Sequence, residues 1–424
     1  MKENAERLLV LHGGDQVGWL EKSSAGRMVF AYSKSWLDSP DAFGISLSLP
    51  LGREPFKDER PGRFFANLLP EGRLRSLVAR RLGLSEDNDF ALLEAIGGEC
   101  AGALSVVPED RAKSRRPDGY TPLPAEELVE IANSGDVLPY VTGVKQTRLS
   151  LAGAQDKLPV LLDEGKLYLP EGNSASSHII KFPSRDFAYL PANELLTTAL
   201  ARAAGLRVAE MEPLPLGNQL ACLVTRYDRS RDGDKLVRIH QEDFCQSLGL
   251  GHATKYEDEG GPSFATCYEL AVGACNDPLQ ANEQLLRWHA FNATAGNADG
   301  HAKNVSFLLE SSRSIRLAPF YDLVCTRAYQ RLDSGLAMRV GGVSDPGQIR
   351  SEHWTRLAEE IGVGKSFLLE LVREVADSVR GALPAVGDDF RSRYGDSPAI
   401  QMVSRAVDKQ ARRILGQLET REGQ

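Results

Sequence analysis

No two cysteines of this 424-residue chain stand in C-x-x-C spacing; the six, at 100, 222, 245, 267, 275 and 325, are scattered. That leaves no signal for a zinc site or a disulfide framework, and the thiols read as reduced and mostly buried, as in a cytoplasmic protein. Long apolar runs are missing too: no window approaches the roughly 18 residues that a membrane helix needs. The apolar run after the N-terminus stops at His12-Gly13-Gly14, unlike a signal peptide, so no export is expected. The chain has neither a Walker sequence nor G-x-G-x-x-G, which disfavours a P-loop ATPase and a conventional glycine-rich nucleotide loop. It also lacks an excess of basic charge. A net charge of −8 argues against a protein that grips nucleic acid along its whole surface. Two local basic stretches, Arg53 to Arg81 and Arg111 to Arg116, read as solvated surface or linker.

What is present is the composition of a water-soluble globular protein, 42% hydrophobic and 25% charged, long enough for two or three domains. The fold class expected is α+β. Residues 1–108 read as an N-terminal subdomain, with strands at Glu6 to His12, Val17 to Glu21 and Arg27 to Tyr32, a helix at Asn67 to Leu84, and a glycine-flanked strand leading to Val107. The proline-bearing stretch 109–124 reads as a linker. Residues 125–228 read as a small sheet lobe. It opens on a helix at Pro124 to Ser134, with strands at Lys157 to Leu162, Leu167 to Leu169 and His178 to Phe182, a helix at Asn193 to Ala204, and a hairpin turning at Gly217-Asn218. Residues 229–424 read as helical, at 242–249, 266–275, 282–296, 353–361, 365–383 and 399–418, interrupted by one hairpin, Val305 to Leu309 and Ile315 to Ala318.

The chemistry gathers around that hairpin. The segment Gly296-Asn297-Ala298-Asp299-Gly300-His301-Ala302-Lys303-Asn304 packs a carboxylate, an imidazole, an amine and an amide into one turn. Phosphoryl transfer needs a group to orient or deprotonate the attacking hydroxyl, and an amide oxygen can ligate magnesium; protein kinases place these as Asp and Asn five residues apart. Asp299 and Asn304 have that spacing, and the hairpin's second strand returns through Pro319-Phe320-Tyr321 to Asp322, a second oxygen ligand suited to Mg²⁺. Taken singly, Asp-Gly is a common turn and an Asp after a strand a common helix cap. The ordered set outweighs those readings.

Lys181, in His178-Ile179-Ile180-Lys181-Phe182-Pro183, sits among apolar neighbours where a charge needs a partner. It reads as a phosphate-binding lysine held by Glu194 at the start of the next helix, or more blandly as an edge-strand lysine and a glutamate favoured by the helix dipole. Ser150-Leu151-Ala152-Gly153-Ala154-Gln155-Asp156-Lys157, small residues just before a strand, fits a loop whose backbone amides approach phosphate, a weak signal alone.

Together these segments, with Gly102-Ala103-Leu104, Val224 to Arg229 and Gln241-Glu242-Asp243, resemble the HipA family of serine/threonine kinase toxins from type II toxin–antitoxin pairs. The resemblance implies three parts: an N-terminal strand and helix subdomain, a small kinase-like β lobe, and a mainly helical C-terminal lobe, with ATP between the last two. It implies Asp299 as proton acceptor and Asn304 with Asp322 as Mg²⁺ ligands. The ATP contacts it implies are Ala152, Gly153, Ala154, Gln155, Asp156, Lys157, Lys181, Thr225, Arg226, Tyr227, His301, Ala302, Lys303, Asn304, Tyr321 and Asp322. Ser150 would be the site of silencing autophosphorylation, while Thr225 departs from a Glu found in family members. The implied partners are a HipB-like helix-turn-helix antitoxin, operator DNA mainly through that antitoxin, and a translation component such as an aminoacyl-tRNA synthetase. A catalytically idle corepressor and a small-molecule phosphotransferase are the alternatives; the four residues Lys181, Asp299, Asn304 and Asp322 weigh against the first, and Ser150 with the N-terminal region against the second.

Overall fold

Short β-rich runs separated by glycines set the N-terminal architecture. Gly13 takes φ +62° and Gly26 φ +77°, turns that let β1 (Arg7–His12), β2 (Asp15–Lys22) and β3 (Met28–Tyr32) pair as an antiparallel meander. The computed structural model describes residues 6–98, 100–110, 119–141, 155–233, 235–311, 314–330, 332 and 335–419. β4 (Leu104–Pro108) adds to the free edge of β1, giving the order β3-β2-β1-β4. Of the stretch expected to be helical over 67–84, Gly72–Leu82 forms the helix, stopping where Gly83 enters the left-handed region at φ +67°, and a separate short helix, Arg60–Ala66, precedes it.

A six-stranded sheet, in the order β5-β7-β6-β8-β10-β9, forms the second layer of strands. Its members are β5 (Gly119–Pro122), β6 (Lys157–Asp163), β7 (Lys166–Glu171), β8 (His178–Lys181), β9 (Met211–Leu216) and β10 (Gln219–Thr225). Part of the expected linker is thus edge strand β5, where Pro122 removes no needed ladder bond. Pro213 and Pro215 lie on the other edge strand, β9, for the same reason. The β9–β10 turn has positive φ at Gly217 (+61°) and not at Asn218, the pattern of a II′ hairpin. A small hairpin, β11 (Arg229–Asp232) with β12 (Lys235–Arg238), follows.

Residues 242–249, expected to be helical, are instead the end of β13 (His240–Asp243) and a single turn, Phe244–Ser247, capped reciprocally by Asp243 and Gln246. β13 pairs with β14 (Ser306–Ser311), which pairs with β15 (Ser314–Leu317).

The chain divides into two compact units: Met1–Pro183 with Pro215–Ala253 and Phe307–Ile315, and Ser184–Leu214 with Thr254–Ser306 and Arg316–Gln424. The second is mainly helical, with helices Leu190–Ala203, Phe264–Ala274, Pro278–Ala295, Ser351–Glu360, Lys365–Tyr394 and Pro398–Glu419. Its core holds Trp288, Phe291 and Trp354, each 2% exposed or less. The helix expected to end at 383 runs to Tyr394 through Pro384. All six cysteines are free and buried, and no helix among the described residues is long and apolar enough to cross a membrane.

Candidate functional site

Helix Pro278–Ala295 delivers the acid-bearing turn of the second unit. Asp277 caps its start by accepting the Gln280 N–H, Pro278 fits its first turn, and Gly296 at φ +67° ends it. A side chain at Gly296 would meet Arg327 Cβ at 2.8 Å, so the chain can turn so close to that neighbour only as glycine. The next residues hold each other by short bonds. Asn297 Nδ2 donates to Asn292 Oδ1 (3.0 Å), and Asp299 N donates to Asn297 Oδ1 (3.1 Å). Asn304 Nδ2 donates to Asp299 O (2.7 Å), which turns the Asn304 amide oxygen away from that carbonyl. A Cβ at Gly300 would lie 2.4 Å from Asn292 Nδ2, so this position too tolerates no side chain.

The Asp299 side chain is about half exposed (49%), whereas His301, Ala302, Lys303 and Asn304 behind it are buried. One carboxylate oxygen, Oδ1, accepts the Tyr256 phenol and lies 3.5 Å from His301 Nε2. The Tyr256 and His301 rings meet edge to face, centroids 5.0 Å apart at 85°.

The segment carrying Asp322 is tied to the same turn. Phe320 bridges in parallel to Val208, with Phe320 N donating to Arg207 O (2.8 Å). Tyr321 OH donates to Lys303 O (2.7 Å) and sits 2.6 Å from Ser306 Oγ. Asp322 has φ +55°, the left-handed region that a non-glycine residue enters at a cost of about 1–3 kcal/mol and that clusters at functional sites. Beyond it, Thr326 Oγ1 donates to Gly296 O (2.9 Å) and accepts Ala298 N (2.8 Å). Asn193 brackets Cys325, Nδ2 donating to its carbonyl (3.0 Å) and Oδ1 accepting its N–H (2.9 Å), with Thr197 adding a bond to each. The Asp299 turn and the Asp322 segment are therefore one hydrogen-bonded body. Glu194, also on helix Leu190–Ala203, is buried in this unit.

In the first unit, Lys157 on β6 and Lys181 on β8 face each other directly across the antiparallel pair, and both are buried. Residues directly opposite on a sheet bring their side chains onto one face, about 4.5–5.5 Å apart at Cβ. Phe182 N donates to Asp156 O (3.0 Å) and Gln155 Nε2 to Phe182 O (3.2 Å), which extends the pair toward the preceding loop. Ser150, Ala152, Gly153 and Ala154 lie outside the described residues, as does the basic run at 111–116.

Of the three connecting residues, Thr225 is exposed, Tyr227 half-buried, and Arg226 buried with its guanidinium committed elsewhere. Arg226 Nε and Nη2 bind Asp228 at 2.9 and 2.7 Å, and Nη1 binds Ser176 Oγ at 3.0 Å. The Arg226 guanidinium thus faces Asp228 and Ser176 within the first unit. Arg229 reaches Gly102 O (3.0 Å), and Gly102 N donates to Asp228 Oδ2 (2.9 Å). Burial alone would raise the Asp228 carboxyl, but Arg226 and Arg229 outweigh it and hold it well below the usual carboxylate range.

Sequence reasoning missed Tyr256, Asn193, Thr197 and Thr326. A signal existed only for the first, in the Gly260-Gly261 pair beside it: Gly261 N donates to Tyr256 O (2.8 Å), and a Cβ there would meet that oxygen at 2.7 Å. Among the described residues no three His, Cys, Asp or Glu side chains gather into a metal-holding group. The oxygen donors at hand are the Asn304 amide and the Asp322 carboxylate.

Two family models match the chain, the HipA N-terminal domain over residues 8–107 and the HipA-like C-terminal domain over residues 149–383. The chain is 39% identical over 406 residues to Y4mE of Sinorhizobium fredii, whose name classes it with the kinases, covering 95% of this chain and 96% of that one. It is 30% identical over 393 residues to the serine/threonine-protein kinase toxin HipA of Shewanella oneidensis, covering 89% of each. The solved complex of Shewanella oneidensis HipA, HipB and operator DNA superposes on it with a TM-score of 0.84 at 28% identity, covering 98% of this chain and 100% of that one. With both halves matched in order and the fold shared end to end, the chain belongs to the HipA family of serine/threonine kinase toxins.

Proposed function

We propose that this protein is an ATP- and Mg²⁺-dependent serine/threonine protein kinase, the toxin of a type II toxin–antitoxin pair. The observation that carries the reading is Asp299. It presents a half-exposed carboxylate on a turn whose other polar residues are buried, with Asn304 fastened to its backbone. An exposed carboxylate on a rigid turn suits the group that orients a substrate hydroxyl and takes up its proton as phosphoryl transfer proceeds.

Asn304 and Asp322 would hold the magnesium ion. Two protein oxygens fit that ion, which completes its octahedron with phosphate oxygens and water rather than a protein cage. Bound there, it would neutralise charge on the transferring phosphate. The Thr326, Asn193 and Tyr321 bonds on either side of Asp322 fix the backbone that carries it, whose φ is in the left-handed region. Lys157 and Lys181, directly opposite each other on one face of the sheet, would bind phosphate. His301, Lys303 and Tyr321 of the second unit would contact the nucleotide, and so would Thr225, Arg226 and Tyr227 of the first.

By extension from the relative solved with HipB and operator DNA, this chain would bind a HipB-like antitoxin and reach operator DNA chiefly through it. Its substrate would be a translation component such as an aminoacyl-tRNA synthetase. Ser150 would be the self-silencing phosphorylation site.

Incubating the purified chain with Mg²⁺ and γ-labelled ATP tests the reading, beside Asp299→Asn and Ser150→Ala. Self-labelling is expected of the wild type and of neither variant. A wild type that labels neither itself nor any protein of a bacterial lysate would sink it.

A further inference from the structure

Resting on the reading of Asp299 as the base, we propose that Tyr256 is its positioning residue: the phenol holds Oδ1 and so presents Oδ2 to the substrate hydroxyl. The two carboxylate oxygens of Asp299 are not equivalent. Oδ1 accepts the Tyr256 O–H and lies 3.5 Å from His301 Nε2, whereas Oδ2 has no hydrogen-bond partner among the described residues. A carboxylate on one turn residue rotates about two torsions, and half of it is exposed to water. One fixed donor on one oxygen removes that freedom and leaves the other oxygen as the acceptor. A hydroxyl that occupied both would block the reaction; a hydroxyl on one aligns it.

The loop around Tyr256 is built to keep that phenol where it is. Glu257, the next residue, is anchored by its N–H to Ala337 O (3.0 Å) and by its Oε2, which accepts Arg339 N (2.7 Å). Gly260, at φ +87°, a conformation that favours glycine, and Gly261, where an added Cβ would meet the Tyr256 carbonyl oxygen at 2.7 Å, close the turn behind it. The ring itself rests edge-on against buried His301, so its direction is set by packing before its hydroxyl meets Asp299. The anchors thus act on the loop backbone, the ring and the phenol independently, which is the support a reacting group needs to stay within about 0.5 Å of its working position.

Tyr256 lies 43 residues before Asp299, outside every local motif.

The test compares wild type, Tyr256→Phe, Asp299→Asn and the double variant. Each is measured for initial rate of label transfer from γ-labelled ATP, for the ATP concentration dependence of that rate, and for thermal unfolding. Phe keeps the ring and its contact with His301 and removes only the donor. The expected result is a kcat lowered about 10- to 30-fold with an unchanged KM for ATP and an unchanged Tm, as for loss of one hydrogen bond to a charged group that matters in the transition state. In the Asp299→Asn background, removing the hydroxyl should lower the residual rate less than 2-fold, because the phenol acts through the lost carboxylate. A Tyr256→Phe enzyme at or above the wild-type rate, with Asp299→Asn inactive, would overturn the positioning role alone and leave the base standing. A wild type without transfer would overturn both.

Discussion

Glu242 is buried in the first unit with Ser46 Oγ 2.5 Å and Leu47 N 3.0 Å from its carboxylate. Desolvation pushes its pKa from 4.5 up to about 7, against the pull of those two donors. A folded-state pKa above the unfolded one means that the folded protein keeps a proton the unfolded chain has lost. The stability is therefore fully present below about pH 4.5 and is lost as pH rises through about 7. The separation corresponds to about 3 kcal/mol. Between pH 5 and pH 8 the wild type should lose about 2–3 kcal/mol more stability than Glu242→Gln, which has no proton to lose. Urea unfolding of both proteins at the two pH values checks this, and parallel pH slopes would contradict it. Asp228 behaves oppositely: depressed by Arg226 and Arg229, it stays ionised through that whole range and adds nothing to the slope. Two buried carboxyls in one unit thus differ because one meets only neutral donors and the other meets two guanidinium groups. A charge count along the sequence treats them alike.

Strands are commoner, and one helix is markedly longer, than local patterns indicate. Helix Lys365–Tyr394 passes through Pro384, where the sequence reads as a stop. Its buried stripe continues past the proline at Gly387 and Phe390, and Gly387 brings the helix so close to the next one that an added Cβ would sit 3.2 Å from Ile400 Cγ2. Packing on both sides of residue 384 sustains the helix despite a missing bond. Pro384 itself is exposed, so replacing it disturbs no packing. Pro384→Ala should raise stability by about 1–3 kcal/mol, the proline penalty in a helix interior less the entropy that proline removes from the unfolded chain. Calorimetry giving an unchanged or lower Tm would contradict it. At 242–249 the error ran the other way, because Asp243 and Gln246 make a good cap and only pairing with β14 shows that the cap ends a strand. The hairpin β11–β12 escaped notice since its residues are mostly polar, with no buried face to give an alternating pattern.

At the scale of the whole molecule, a net charge of −8 sets an expectation about DNA. Phosphate binding draws on clustered Lys and Arg, and an acidic chain gains little from counterion release. In a mobility-shift assay at about 150 mM salt, this protein alone should leave operator DNA unshifted and should add to the shift made by a HipB-like antitoxin. A shift by the chain alone would assign the basic residues between Arg53 and Arg81 a role that the sequence reading denied them. By itself the sequence determined the α+β class and most of the longer helices, and it singled out Asp299, Asn304 and Asp322 as a candidate acid–amide set. Those features are carried by short spacings and by the periodicity of burial, which neighbouring residues encode. Tertiary structure alone decided that Arg226 faces Asp228, that Thr326 ties the Asp322 segment to Gly296 and Ala298, and that Tyr256 holds Asp299. The last two join residues about thirty or more positions apart, and which donor meets which acceptor at that range is settled by how the chain folds back, not by any pattern along it.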